Sequence, residues 1–145
     1  MRYLLDTNVI SEARRKPQRR DPRFHAWVES VAATDAAISV ITLGEVLAGV
    51  IRLERRDPVQ GAQLRRWYLG DVLAAFNNRL LPVTRRIVEC EARLHVPNPR
   101  PKADALIAAT ALTHGLIVVT RNVSDFDGTG ASWLNPWTSE SDIHD

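Results

Sequence analysis

Four carboxylates sit where apolar stretches of this chain give way to polar ones. They are Asp6 in Leu4-Leu5-Asp6-Thr7-Asn8, Glu45 in Thr42-Leu43-Gly44-Glu45, Asp104 in Ala103-Asp104-Ala105, and Asp125 in Thr120-Arg121-Asn122-Val123-Ser124-Asp125-Phe126. Gathered into one cleft, they repel. A pair about 4 Å apart costs about 1 kcal/mol in water and about 4 kcal/mol at the effective dielectric near a protein surface. Such a cluster calls for a cation. Oxygen-only ligands suit the hard ions Mg2+ and Mn2+, whereas His25, His95, His114 and His144 are scattered singly and Cys90 stands alone, which leaves no Zn2+ spacing. A dication held by carboxylates lowers the pKa of its water and neutralises charge on a phosphodiester, so in-line hydrolysis without a protein nucleophile is the chemistry expected. Thr7, Asn8, Thr120 and Asn122 are suited to hydrogen-bonding the carboxylates or a phosphate.

Each residue also has a plainer explanation. Thr42-Leu43-Gly44-Glu45 matches a capping box, with Thr42 as the helix N-cap. Asp104 suits the positive end of a helix dipole, and Asp6 or Asp125 could cap a short helix or turn. Thr7, Asn8, Thr120 and Asn122 fit turns that follow strands. The histidines read as structural or surface residues, and Cys90 shares a helical apolar stripe with Ile87 and Leu94.

What must position the acids is an alternation of short apolar runs with longer helical patterns, the mark of a parallel sheet wrapped by helices. Strands are expected at Tyr3-Leu4-Leu5, Ala37-Ile38-Ser39-Val40, Leu80-Leu81-Pro82-Val83 and Leu116-Ile117-Val118-Val119, with a fifth, at the edge, at Ser132-Trp133-Leu134. Helices are expected over 22–33, 42–55, 58–78, 84–95 and 102–114. Thr42 and Thr84 serve as N-caps, Pro58 sits in a first turn, and Gly115 acts as a stop. Asp6 and Asp125 then follow strands, while Glu45 and Asp104 open helices. In an open parallel sheet these places share the carboxyl edge, where ligands bind.

With 145 residues, 45% of them hydrophobic, the chain is expected to form one domain over 1–145. The lone cysteine, the absence of a secretory h-region and the charges that interrupt every apolar run point to a cytoplasmic protein with no membrane span. The net charge is +2, but the arginines cluster. One group is Arg14, Arg15, Arg19, Arg20 and Arg23 with Lys16, and a second is Arg52, Arg55, Arg56, Arg65 and Arg66. Either could track a nucleic-acid backbone or simply keep a surface wet.

The blocks Leu4-Leu5-Asp6-Thr7-Asn8, Ile41-Thr42-Leu43-Gly44-Glu45, Ala103-Asp104-Ala105-Leu106-Ile107-Ala108 and Thr120-Arg121-Asn122 with Asp125-Phe126 resemble the four acidic blocks of PIN-domain nucleases. The likeness is to VapC-type toxins of bacterial toxin-antitoxin pairs, in the family's order and over nearly the whole chain. Gly61, Leu64, Trp67, Phe76, Arg79, Leu81-Pro82-Val83 and Asn135-Pro136-Trp137 resemble the FitB-like branch. The resemblance implies a three-layer α/β/α sandwich around a mainly parallel sheet of about five strands. It implies Mg2+- or Mn2+-dependent RNA cleavage as part of a type II toxin-antitoxin system, with Asp6 and Asp104 as principal ligands and Glu45 and Asp125 completing the site directly or through water. A further role for Glu45, orienting or deprotonating the attacking water, stays open beside ionisation of the water by the metal itself. A cognate antitoxin that pushes a basic side chain into the cleft is implied as partner, as is a homodimer. Leu64, Trp67, Tyr68 and Phe76 could then face the sister subunit, although such a stripe is more often the chain's own core; Phe24 and Trp27 carry the same choice and could also dock the antitoxin. Many relatives place an acid directly after Thr-Arg, where this chain has Asn122, so Asp127 competes with Asp125 as the fourth acid.

Two other classes stay open. A haloacid-dehalogenase-type phosphatase also places an Asp after its first strand, but would resemble Asp-x-Asp, and the third position here is Asn8. A non-catalytic binding module would keep the acids as caps and use the arginines to hold a partner.

Overall fold

The computed structural model describes residues 1–138 and 143–145. Tyr3–Leu5 form β1, with all three side chains buried. Tyr3 and Leu5 point to one face of the sheet and Leu4 to the other, as strand alternation requires. β1 is flanked by two parallel neighbours, β2 (Ala36–Ser39) and β4 (Ile117–Val119). Outside β2 lies β3 (Leu80–Leu81), also parallel, and outside β4 lies the parallel β5 (Trp133–Leu134). A sixth strand, β6 (Ile143–His144), pairs antiparallel with β5, giving the order β3-β2-β1-β4-β5-β6. The expected five strands are thus six, and β5 is covered where an edge was expected. The His144 ring stacks on Trp133 at 4.2 Å, an anchor for a strand of two residues.

Helices cover both faces. On the side of Tyr3 and Leu5 lie α1 (Thr7–Ala13), α2 (Pro22–Ser30), α3 (Val40–Arg56) and α4 (Pro58–Trp67). The chain continues from α4 through a wider-wound turn at Tyr68–Leu73, in which the Ala74 N–H reaches back five residues to Leu69. Val9, Ile10, Phe24, Val46, Val50, Tyr68 and Val72 build that layer's core. On the side of Leu4, α6 (Lys102–His114) packs Ile107, Ala108 and Ala111 against Val118, with α5 (Arg85–Leu94) alongside. The alanines let α6 lie close to the sheet.

Thr84 caps α5 through Oγ1, and Gly115 closes α6 at φ +65°, a left-handed conformation that favours glycine. The start of α3 is a correction. Ser39, and not Thr42, is its N-cap, accepting from the Ile41 N–H at 3.0 Å. Thr42 lies inside the helix, fully buried, its Oγ1 without a hydrogen-bond partner among the described residues. α1 is a further element, capped by Asp6 and held by Val9 and Ile10. Tyr68 and Phe24 are buried in the chain's own core, while Leu64, Trp67, Phe76 and Trp27 are partly buried and pack against it.

Candidate metal centre

The strand order reverses between β1 and β4. From β1 the chain crosses to β2 and β3 on one side, and only later returns to β4 and β5 on the other. Crevices at such a point, beyond the carboxyl ends of the strands, are where parallel sheets bind ligands. Asp6 and Thr120 follow the two strands here and are neighbours. The Asp6 N–H donates to the Val119 carbonyl at 3.0 Å, and Thr120 Oγ1 donates to Asp6 Oδ2 at 2.8 Å.

Asp6 is nearly buried and fully oriented. Its Oδ1 accepts from the Thr7 N–H at 2.8 Å, while Oδ2 accepts from Thr120 and from Asn8 Nδ2, the latter at 3.2 Å. Of the roughly four lone pairs on a carboxylate, one on Oδ1 is left for a ligand. Asn8 joins the segments, because its Oδ1 accepts from the Arg121 N–H at 3.1 Å. Thr120 Oγ1 also accepts from the Asn122 N–H at 3.0 Å, so Asn122 contributes through its backbone. Glu45 lies one turn further into α3 than a capping box requires. Its Oε1 accepts from Thr7 Oγ1 at 2.8 Å, which leaves Oε2 free.

Asp6, Glu45, Asp104 and Asp125 line one cleft of about 790 Å3, together with Thr7, Asn8, Arg14, Arg15, Arg121 and Asn122. Asp127 is not among its walls. None of the four carboxylates forms an ion pair among the described residues, and Asp104 and Asp125 have no side-chain hydrogen bond there either. The crowding shows on Asp104, whose carboxyl is pushed up to about 6, first by burial and then by Asp125, Asp6 and Glu45. No three His, Cys, Asp or Glu side chains among the described residues converge closely enough to grip an ion by themselves. A hydrated hard dication suits that spacing, since such an ion can keep several waters and take one or two carboxylates directly. Uncompensated charge and an all-oxygen donor set fit a hydrated hard dication.

The haloacid-dehalogenase alternative loses its footing here, because Asn8 spends its side chain on Asp6, Thr120 and the backbone of Arg121. Trp137, Ser11 and Glu12 also line the cleft. Sequence reasoning did not place Ser11 and Glu12 at the site, since they belong to the unforeseen α1, and it noted Trp137 only within a motif. Beside the cleft, and sharing Arg14 and Arg15 with it, is an apolar groove of about 630 Å3 walled by Val9, Ala13, Trp27, Trp67 and Phe76.

The PIN domain profile matches residues 3–130. The plasmid stability protein StbB of Pseudomonas syringae is 36% identical over 144 residues, covering 92% of this chain and 97% of that protein. Toxin FitB of Neisseria gonorrhoeae is 34% identical, covering 92% and 97%. Among solved structures, the crystal structure of FitAcB from Neisseria gonorrhoeae aligns with a TM-score of 0.84 at 32% identity, covering 93% of this chain and 98% of that one.

Proposed function

The chain belongs to the PIN-domain family, and from that premise we propose that it is the toxin of a bacterial type II toxin-antitoxin pair, a divalent-metal-dependent endoribonuclease acting on cytoplasmic RNA. Four carboxylates from four distant segments share one cleft with no basic side chain among the described residues paired to them, and that observation carries the reading. Ribonuclease VapC14 of Mycobacterium tuberculosis, 47% identical over 76 residues that cover 52% of this chain, supports the choice of RNA. No helix among the described residues is long and apolar enough to cross a membrane, in keeping with the same reading.

Asp6 and Asp104 would hold the ion, Mg2+ or Mn2+, with Glu45 and Asp125 completing the site directly or through water. When bound, it supplies charge neutralisation at the phosphodiester and a more acidic water. The chain's own residues do the rest. Thr120 and Asn8 fix the Asp6 carboxylate, and Thr7 fixes Glu45, whose free Oε2 can take the proton of an attacking water. A protein antitoxin seats an apolar segment in the neighbouring groove. That partner is supported by structures of toxin-antitoxin complexes such as FitAB bound to a DNA fragment, 31% identical with a TM-score of 0.85. A non-catalytic module is the weaker reading, because Glu45 and Asp125 cap nothing.

The test is cleavage of total cellular RNA in Mg2+, Mn2+ or EDTA by wild-type and Asp6→Asn protein, with the cut ends sequenced. Cleavage in either metal, abolished by EDTA and by the substitution, is expected. Equal cleavage by both proteins, or none by wild type, refutes the proposal.

A further inference from the structure

Three arginines line the acidic cleft, and none pairs with its four carboxylates. Arg15 is spoken for, lying 3.8 Å from Glu12. The other two lie against indoles. The Arg14 guanidinium carbon is 5.8 Å from the Trp67 ring centroid, and that of Arg121 is 5.5 Å from Trp137. Both arginines are exposed.

The indoles are themselves fixed. Trp67 ends α4 and packs on the core beneath it. Trp137 packs against the buried Phe24 at 4.7 Å, and its backbone N–H donates to Asn135 Oδ1 at 2.9 Å. The backbone of Arg121 is tied to the metal centre as well, through Asn8, which also holds Asp6. Cation–π contact with tryptophan is the strongest of its kind, and a guanidinium resting on a ring keeps its N–H edge free for two parallel bonds to phosphate oxygens. The rim of an acidic cleft thus carries two held, uncompensated positive charges on two separate indoles.

A polyanionic strand crossing this cleft meets carboxylates that repel its phosphates. The ion answers for the scissile linkage, and the linkages on either side of it need a cation of their own. We propose that Arg14 and Arg121, each seated on its tryptophan, clamp the phosphates that flank the scissile one in a single RNA strand. Binding of this kind is blind to base identity, so it sets affinity and register, and leaves sequence choice to other surfaces. The inference rests on the ribonuclease reading above.

The test uses the full chain with Arg14→Gln, Arg121→Gln, the double variant and Arg121→Lys. Affinity for a short fluorescent single-stranded RNA of mixed sequence is measured across salt concentrations, with Ca2+ in place of Mg2+ to hold off cleavage. Calorimetric Mn2+ binding and steady-state kinetics accompany it. Each Gln variant lowers the slope of log affinity against log salt by about 0.7, and the double variant by about 1.4, with affinity falling about fivefold per clamp at 0.1 M salt. KM rises more than kcat falls, Mn2+ affinity does not weaken, and Arg121→Lys retains the salt slope. An unchanged slope in the double variant overturns the proposal, as does weakened Mn2+ binding. So does loss of antitoxin binding with RNA affinity intact, which would assign these arginines to the protein partner. If wild type itself neither binds nor cuts RNA, the ribonuclease reading falls; if wild type does both and the double variant matches it, only the clamps fall.

Discussion

Replacing Asp104 with asparagine tests whether burial, together with carboxylate crowding, strains the cleft, because the change removes the charge and little else. Asp104 has no hydrogen-bond or ion-pair partner among the described residues. Its folded carboxyl titrates near 6, against 3.8 for a free aspartate, so the folded protein gives up this proton later than the unfolded chain does. The linkage follows from that order. Below pH 3.8 the group costs nothing; stability is lost as pH rises from there, and the loss is complete once pH passes about 6. The span from 3.8 to about 6, at about 1.36 kcal/mol per pH unit, sets a ceiling near 3 kcal/mol. Partial exposure lets solvent screen the repulsion, which brings the figure to about 1–2 kcal/mol. In EDTA at pH 7.5, Asp104→Asn therefore raises stability by about 1–2 kcal/mol, or about 2–8 °C in Tm. Near pH 5 roughly half of that gain remains, and below pH 3.8 none does. Mn2+ reverses the ranking. A hundredfold excess over Kd adds about 2.7 kcal/mol to the wild type and much less to a variant that has lost a ligand. Thermal melts from pH 3.5 to 8, in EDTA and in Mn2+, read all of this. A variant less stable than wild type in EDTA at pH 7.5, or a difference that ignores pH, refutes the crowding argument; an undiminished response to Mn2+ refutes the ligand role.

Three further predictions concern hydroxyls. Thr120→Val deletes the donor to Asp6 Oδ2 and the acceptor of the Asn122 N–H, and is expected to weaken Mn2+ binding about 10- to 100-fold by calorimetry while the protein stays folded. On α3, Ser39→Ala removes the cap and costs about 0.5–2 kcal/mol in urea unfolding. Thr42→Val deletes an orphaned buried hydroxyl at constant shape and leaves stability unchanged or raised, the reverse of what a capping box demands.

The start of α3 shows why some boundaries were legible and others were not. β2 runs into α3 without a loop, and at the junction Ile38, Ser39 and Thr42 are buried and Val40 and Ile41 half-buried. Apolar residues on both sides of the join look alike in a sequence, so the nearest polar cap pattern, Thr42 with Glu45, attracted the boundary. Moving the cap to Ser39 slides Glu45 a turn deeper into the helix and releases its carboxylate from capping. Thr7 then takes it up. α5 and α6 were legible because Thr84 and Gly115 stand between a loop and a helix, where cap chemistry has no competitor. α1 escaped notice because seven residues that include Thr7, Val9 and Ile10 are poor helix formers, and only a cap and two buried side chains hold them. The arginine-tryptophan stacks join residues far apart in the chain, and no local pattern announces them.

Asp6 shows that the plain and the chemical explanation of a residue need not compete. Oδ1 caps α1 through the Thr7 N–H, and the cap fixes the carboxylate at the end of β1. Oδ2 is held by Thr120, at the end of the adjacent β4, so the same side chain reports that the two central strands are in register. A capping aspartate with a basic neighbour in contact would be complete as structure. Here two of the guanidiniums lining the cleft, those of Arg14 and Arg121, rest on indoles, and the third, Arg15, lies beside Glu12. Negative charge is thus placed with precision by groups that do not neutralise it, at the crevice where the strand order reverses. Folding alone gains nothing from that arrangement, since the raised titration of Asp104 marks a cost to the metal-free protein at neutral pH. The cost makes sense as the counterpart of binding: a site strained by its own charge in the absence of a cation is one that a cation relieves.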